Sequence, residues 1–359
     1  MPDTDSQSTA IPRKKNGVLK SLLQFGVPLI VTVGLCWLLF TGINFDEMVR
    51  IIRTYCNFWW IGAAWVVAIL SHVARAMRWR IQLQALGVNA PLFVLVLSIF
   101  GTYAVNLVFP RLGEVWRTGY VAQRQKASFT TVFGSMVADR LADTVTVFLL
   151  TLVTFLLASR ELMLYLGQNP DLYNDVKATV TNPWLWTAIG AVIIGIWLVF
   201  TRMSSNKAVQ KVRSLWHGLW EGFAVIVKMP GKGRWLLLTL AIWGCYFFQL
   251  YLAFFSFDFT TQVVHDYGVL AVLVVFVLSS LSMAVPSNGG IGPWQWSVIF
   301  GLSLYAAGIT VPAGTDFQSM STSFANLVMA GNTLLLILLG IFTFICITID
   351  KRKSASRNA

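Results

Sequence analysis

A series of apolar runs, rather than a single one, governs what this chain can become. They cover residues 21–42, 59–77, 91–109, 134–158, 184–201, 235–257, 269–285, 294–307 and 323–349. A bilayer core about 30 Å thick takes about 20 apolar residues per helical crossing. Only 12% of the residues are charged and the mean hydropathy is +0.68, whereas soluble domains are about a quarter charged. The chain is expected to be an all-α integral membrane protein, and a soluble globular enzyme is excluded. The first run is too long for a signal-peptide core and lacks a small-residue cleavage site, so it is expected to stay as an anchor.

Charge sets the threading. The net charge is +12, and in a membrane chain such an excess marks cytoplasmic loops rather than nucleic-acid binding. The N-terminal tail with Arg13, Lys14, Lys15 and Lys20, the cluster Arg75–Arg80, the loop 202–234 and the tail Asp350–Lys353 are all basic. The positive-inside rule places them all in the cytoplasm. Residues 111–126 are basic too, so 91–126 is expected to enter the membrane, turn near Pro110 and leave on the same side. By the same logic 269–311 enters and returns from outside, turning near Pro286–Pro293. The expected architecture is a polytopic helical bundle of about six full spans plus two re-entrant helical hairpins. Its halves, 21–158 and 184–349, form an inverted repeat, flanked by cytoplasmic tails 1–20 and 350–359. Paired segments broken by Gly and Pro at matching positions are the sequence mark of a transporter's central site. Both turns begin Pro-x-x-Gly, at Pro110 and at Pro286.

Six ionisable residues fall in or beside the first re-entrant segment and the next helix: Arg111, Glu114, Arg117, Asp139, Arg140 and Asp143. A charge at mid-membrane costs about 2.5–3.5 kcal/mol even on insertion scales, so such groups pair or line a cavity. Glu114 is three residues from each of Arg111 and Arg117 and neighbours both on a helix. Asp139 and Asp143 share a face, and the six formal charges cancel. Two compatible readings follow: an ion-pair network that pins the hairpin, or a cavity whose guanidinium groups accept an anionic lipid head group. Arg75, Arg78 and Arg80 read instead as a snorkelling stop-transfer signal, and His72 as an interior polar group. The turn containing Ser287, Asn288, Gly289 and Gly290 is not a P-loop, since no Gly-Lys-Ser/Thr follows. Its backbone N–H groups at a half-helix start suit an anion.

No cofactor or metal is expected. Cys36, Cys56, Cys245 and Cys346 show no ligand-like spacing, and His72, His217 and His265 are far apart.

The stretches Arg78-Trp79, Asn106–Arg117, Ala138–Asp143 and Pro286–Gly292 resemble the membrane domain of lysylphosphatidylglycerol synthases and its stand-alone UPF0104 relatives. The Pro-x-x-Gly-Glu-x-x-Arg stretch, Pro110 to Arg117, is the most specific, and Asn106 just ahead of it joins the candidate substrate-binding residues. The family pattern Gly-Gly-x-Gly-x-x-Glu here ends in Gln295, which removes a carboxylate. The resemblance implies a lipid flippase-like protein of the bacterial inner membrane, multi-pass, with both termini cytoplasmic. It implies membrane lipids as partners, with lipid or glycan biosynthetic enzymes beside them and no nucleic acid. With ten residues after the last run, the aminoacyl-transferring domain of the synthases is expected to be absent, and the chain is expected not to be an enzyme. The alternatives are a membrane transferase using Asp139 and Asp143 on a lipid-linked substrate, and a non-catalytic scaffold of a biosynthetic complex.

Overall fold

The computed structural model describes residues 45–109, 112–159, 229–285, 287 and 290–357, with scattered positions between 163 and 195. The anchor 21–42, the basic loop up to residue 228, most of the span 184–201, and Pro110, Arg111, Pro286, Asn288 and Gly289 lie outside the described residues. Among the described residues the secondary structure is helical with no strand.

A first group comprises α1 (Phe45–Tyr55), α2 (Phe58–Ala85), α3 (Leu92–Val108), α4 (Leu112–Gln125) and α5 (Phe129–Leu157). A second comprises α6 (Lys232–Phe254), α7 (Asp258–Ser282), α8 (Pro293–Ser303) and α9 (Phe317–Arg357). Five of these, α2, α5, α6, α7 and α9, are long and apolar enough to cross a membrane. The protein is a polytopic helical membrane protein. By contrast α4 and α8, with 14 and 11 residues, reach only about 21 and 17 Å at 1.5 Å per residue. Neither spans the hydrocarbon alone, in keeping with the short limbs expected beside each Pro/Gly turn.

Local sequence explains where these helices start and stop. Asn57 caps α2 by accepting the Trp59 N–H at 3.1 Å. Asp316 precedes α9, where its carboxylate accepts the Ser319 N–H at 2.7 Å. That cap starts α9 six residues ahead of the apolar run expected from 323. Helix α7 likewise begins ahead of its apolar run at 269, and Gly268 at φ +70° breaks it where the polar part ends. Helix α1 falls in what the sequence reading treats as a polar connector. Its buried Ile51 joins the apolar core of the second group.

Helix α2 packs most extensively along α6, α3 lies against α4 and α9, and α5 contacts α2, α4 and α7. Glycine permits the closest approaches. At Gly101 a Cβ would collide with the Trp116 ring, and at Gly340 with the Ala104 methyl. One core gathers Trp79, Leu83, Leu95, Ile99 and Val121. Another is rich in aromatics, with Phe254, Phe257 and Phe259 each edge-on to Phe324. Phe148, Leu149, Leu152, Phe155 and Leu156 on α5 stay exposed, as a lipid-facing surface requires.

Candidate functional site

The site begins with two polar stripes. On α2, Ser71, Arg75, Arg78 and Gln82 are buried at spacings of four, three and four, which is one face of a helix. On α5, Ser135, Asp139 and Asp143 are buried at spacings of four. Where the stripes meet, the charges interlock. Arg75 Nη1 lies 2.7 Å from Asp143 Oδ2 and 3.6 Å from Asp139 Oδ2. Arg78 Nη2 lies 2.6 Å from Asp139 Oδ1 and 2.8 Å from Asp143 Oδ1. Helix α6 completes the cage. The Tyr246 hydroxyl accepts from Arg75 Nε and Nη2 at 3.2 and 3.0 Å, and Thr239 Oγ1 accepts from Arg78 Nη1 at 3.3 Å. The Trp79 indole N–H donates to Ser135 Oγ at 3.0 Å.

This arrangement corrects the stop-transfer reading of Arg75 and Arg78. Neither head reaches an interface; both are buried, with 3% and 0% of the side chain exposed. A stop-transfer cluster and a buried ionic stripe look alike in composition. The four-three-four spacing and the presence of two carboxylates one turn apart on another span distinguish them. His72, one turn before Arg75, is interior as expected and packs on the Tyr103 ring, with centroids 4.7 Å apart. Its Nδ1 finds no hydrogen-bond partner.

A second, more open station lies on the α3–α4 hairpin. The Asn106 carboxamide accepts the Gly113 N–H at 2.8 Å and donates to Glu114 Oε2 at 3.5 Å. Glu114 Oε1 is 3.3 Å from Arg140 Nη2, and Arg140 Nη1 is 3.8 Å from Asp143 Oδ2. Arg140 keeps 36% of its side chain exposed and Glu114 keeps 20%, so this pair is reachable where the inner four charges are not. The expected pairing of Glu114 with Arg117 is not what forms. Arg117 is fully buried with its guanidinium carbon 4.2 Å above the Trp79 ring, and none of its three guanidinium nitrogens has a hydrogen-bond acceptor. Tertiary contact with α5 overrides proximity along α4. Among the described residues, Arg75, Arg78, Arg117 and Arg140 face Glu114, Asp139 and Asp143, so the expected neutrality becomes an excess of one cation. Arg111 lies outside the described residues.

The second turn stands apart. The Ser287 hydroxyl donates to the Val285 carbonyl at 3.5 Å, and Gly290, at φ +86°, packs on Met283. Gln295 performs the local work: its Oε1 accepts the Gly292 N–H at 2.8 Å, and its Nε2 donates to Asn326 Oδ1 at 2.6 Å. Among the described residues no hydrogen bond or ion pair joins this turn to the charge cluster. Asn288 and Gly289 lie outside the described residues. No group of three or more His, Cys, Asp or Glu side chains placed to hold a metal occurs among the described residues.

The family described as the lysylphosphatidylglycerol synthase TM region matches this chain over residues 25–315. The chain belongs to that family. The match takes in both polar stripes, the hairpin and the second turn, and it ends just ahead of α9. The protein is thereby a multi-pass membrane protein related to lipid metabolism. No curated protein and no solved structure matches the chain.

Proposed function

We propose that the protein binds an anionic or phosphate-bearing lipid by its head group and carries it across the membrane. The head group engages the station of Arg140, Glu114 and Asn106. The observation that carries this reading is the contrast between Arg140, partly open and held by contacts of 3.3 and 3.8 Å, and the buried, closely ion-paired inner charges behind it. A phosphate offers Arg140 a shorter, bidentate partner than Glu114 does. Arg117, close behind and short of acceptors, adds positive potential that the three carboxylates do not cancel. The inner four charges hold α2, α5 and α6 in register around this mouth. In this reading the protein sits in a bacterial inner membrane beside biosynthetic enzymes of the lipid, and the basic segments support cytoplasmic termini.

The transferase reading is weaker. Asp139 and Asp143 are already engaged by Arg75 and Arg78, which leaves neither free as a general base. The protein is accordingly proposed to be a carrier rather than an enzyme.

Reconstitution into vesicles with a fluorescent phosphatidylglycerol tests this. Wild type should speed its transbilayer movement, and Arg140→Ala should lower that rate about tenfold or more, since one charge-assisted contact is worth 1.5–3 kcal/mol. Equal rates for the two proteins refute the assignment.

A further inference from the structure

One face of α9 and the tip of α3 enclose a groove of about 850 Å³, within the size range of small-molecule sites. It is walled by Ala104, Leu107 and Val108 of α3, by Ile291 of the second turn, and by α9 from Thr333 to Ile349. That stretch of α9 runs about 24 Å at 1.5 Å per residue. The wall offers a ligand almost nothing polar. Its two threonines spend their hydroxyls on their own helix, Thr333 donating to the Met329 carbonyl at 2.9 Å and Thr348 to the Phe344 carbonyl at 2.8 Å. Gly340 and Ala104 bring the two backbones into contact at the seam between them. At one end the Arg124–Asp350 ion pair ties α4 to α9.

The groove adjoins the open polar station. Leu107 and Val108 directly follow Asn106, whose carboxamide touches Glu114, which in turn holds Arg140. A cationic mouth and an apolar trough in this order match a molecule with an anionic head and a hydrocarbon tail. We propose that the α3–α9 groove seats the hydrocarbon chain of the same lipid whose head group engages Arg140. This rests on the head-group reading above. It adds that the chain is bound by the protein instead of remaining free in the bilayer. It also gives the second turn a part, through Ile291, that its hydrogen bonds do not.

Phosphatidylglycerol with a diazirine near the end of one acyl chain, in phosphatidylcholine vesicles containing the purified full chain, tests the claim. The exposed apolar face of α5, from Phe148 to Leu156, records ordinary contact with bulk lipid. Label should concentrate about fivefold or more on Leu107–Val108 and on 337–349 relative to that face, a ratio that corresponds to a modest preference. Phosphatidylcholine carrying the same diazirine should label both surfaces evenly. In Arg140→Ala the groove should fall to the level of α5. Even labelling by phosphatidylglycerol in wild type overturns the groove. Concentrated labelling that persists in Arg140→Ala overturns the single-lipid seat. The head-group reading fails separately, if the vesicle transport rate is indifferent to Arg140→Ala.

Discussion

The two halves of the protein place side-chain links at corresponding positions and build them from different chemistry. Glu114 is the third residue of α4 and binds Arg140 of the following long helix; Gln295 is the third residue of α8 and binds Asn326 of the following long helix. Arg75 of α2 meets Asp143 of α5 at 2.7 Å, while Gln249 of α6 meets Asn332 of α9 also at 2.7 Å. The second half shows that neutral amides suffice to tie these helices together, without the several kcal/mol that each buried ion costs in desolvation. Among the described residues the buried ion pairs lie in the first half, and they therefore ask for a reason beyond fastening. The excess cation and the open mouth at Arg140 supply one, because recognition of an anion needs charge where fastening does not. Gln295 keeps the link between α8 and α9 neutral.

The comparison breaks most readily at the inner charges. Arg78→Ala removes the closest partner of Asp139, leaving it Arg75 at 3.6 Å, and should cost about 3–5 kcal/mol, read as a loss of folded protein in detergent melting. Gln249→Ala in the other half removes a neutral bond and should cost about 1–3 kcal/mol. Similar losses for the two variants would erase the distinction between the halves. Arg117→Leu sharpens it in the opposite direction. Replacing a buried cation that lacks acceptors by a hydrophobe is neutral or stabilising by about 1–4 kcal/mol, so the melting temperature should hold or rise while anionic lipid binding falls. A clear destabilisation would make Arg117 a structural member of the ionic network. Tyr246→Phe, which removes one acceptor from Arg75, should cost about 1–3 kcal/mol and leave lipid binding intact.

Much of this was legible in the residues, because apolar length and Pro/Gly interruption are local signals. The helices covering 59–77, 134–158 and 235–257, and the breaks around the two Pro-x-x-Gly turns, follow from them. The polar cluster was legible in composition, since charges within apolar runs are costly wherever they sit. Its wiring was not. Glu114 has arginines three residues away on both sides, yet its partner is Arg140, which tertiary packing of α4 on α5 brings closer. Arg75 and Arg78 read as a cytoplasmic boundary because the apolar run ends there. Helix α2 in fact continues to Ala85 and buries them, with the polar stripe from Ser71 to Gln82 as the sign in the sequence. Helix α1 was hidden in a polar connector because long apolar runs were the signal followed, and this short helix carries only one apolar stripe, Met48, Ile51, Ile52 and Tyr55, among polar residues.

The most direct test of the central claim is native mass spectrometry of the lipids that co-purify with wild type and with Arg140→Ala. The account predicts one anionic lipid enriched over the bulk membrane in wild type. In the variant, that lipid returns to its bulk proportion with the melting temperature unchanged. The same lipid composition in both proteins would contradict it.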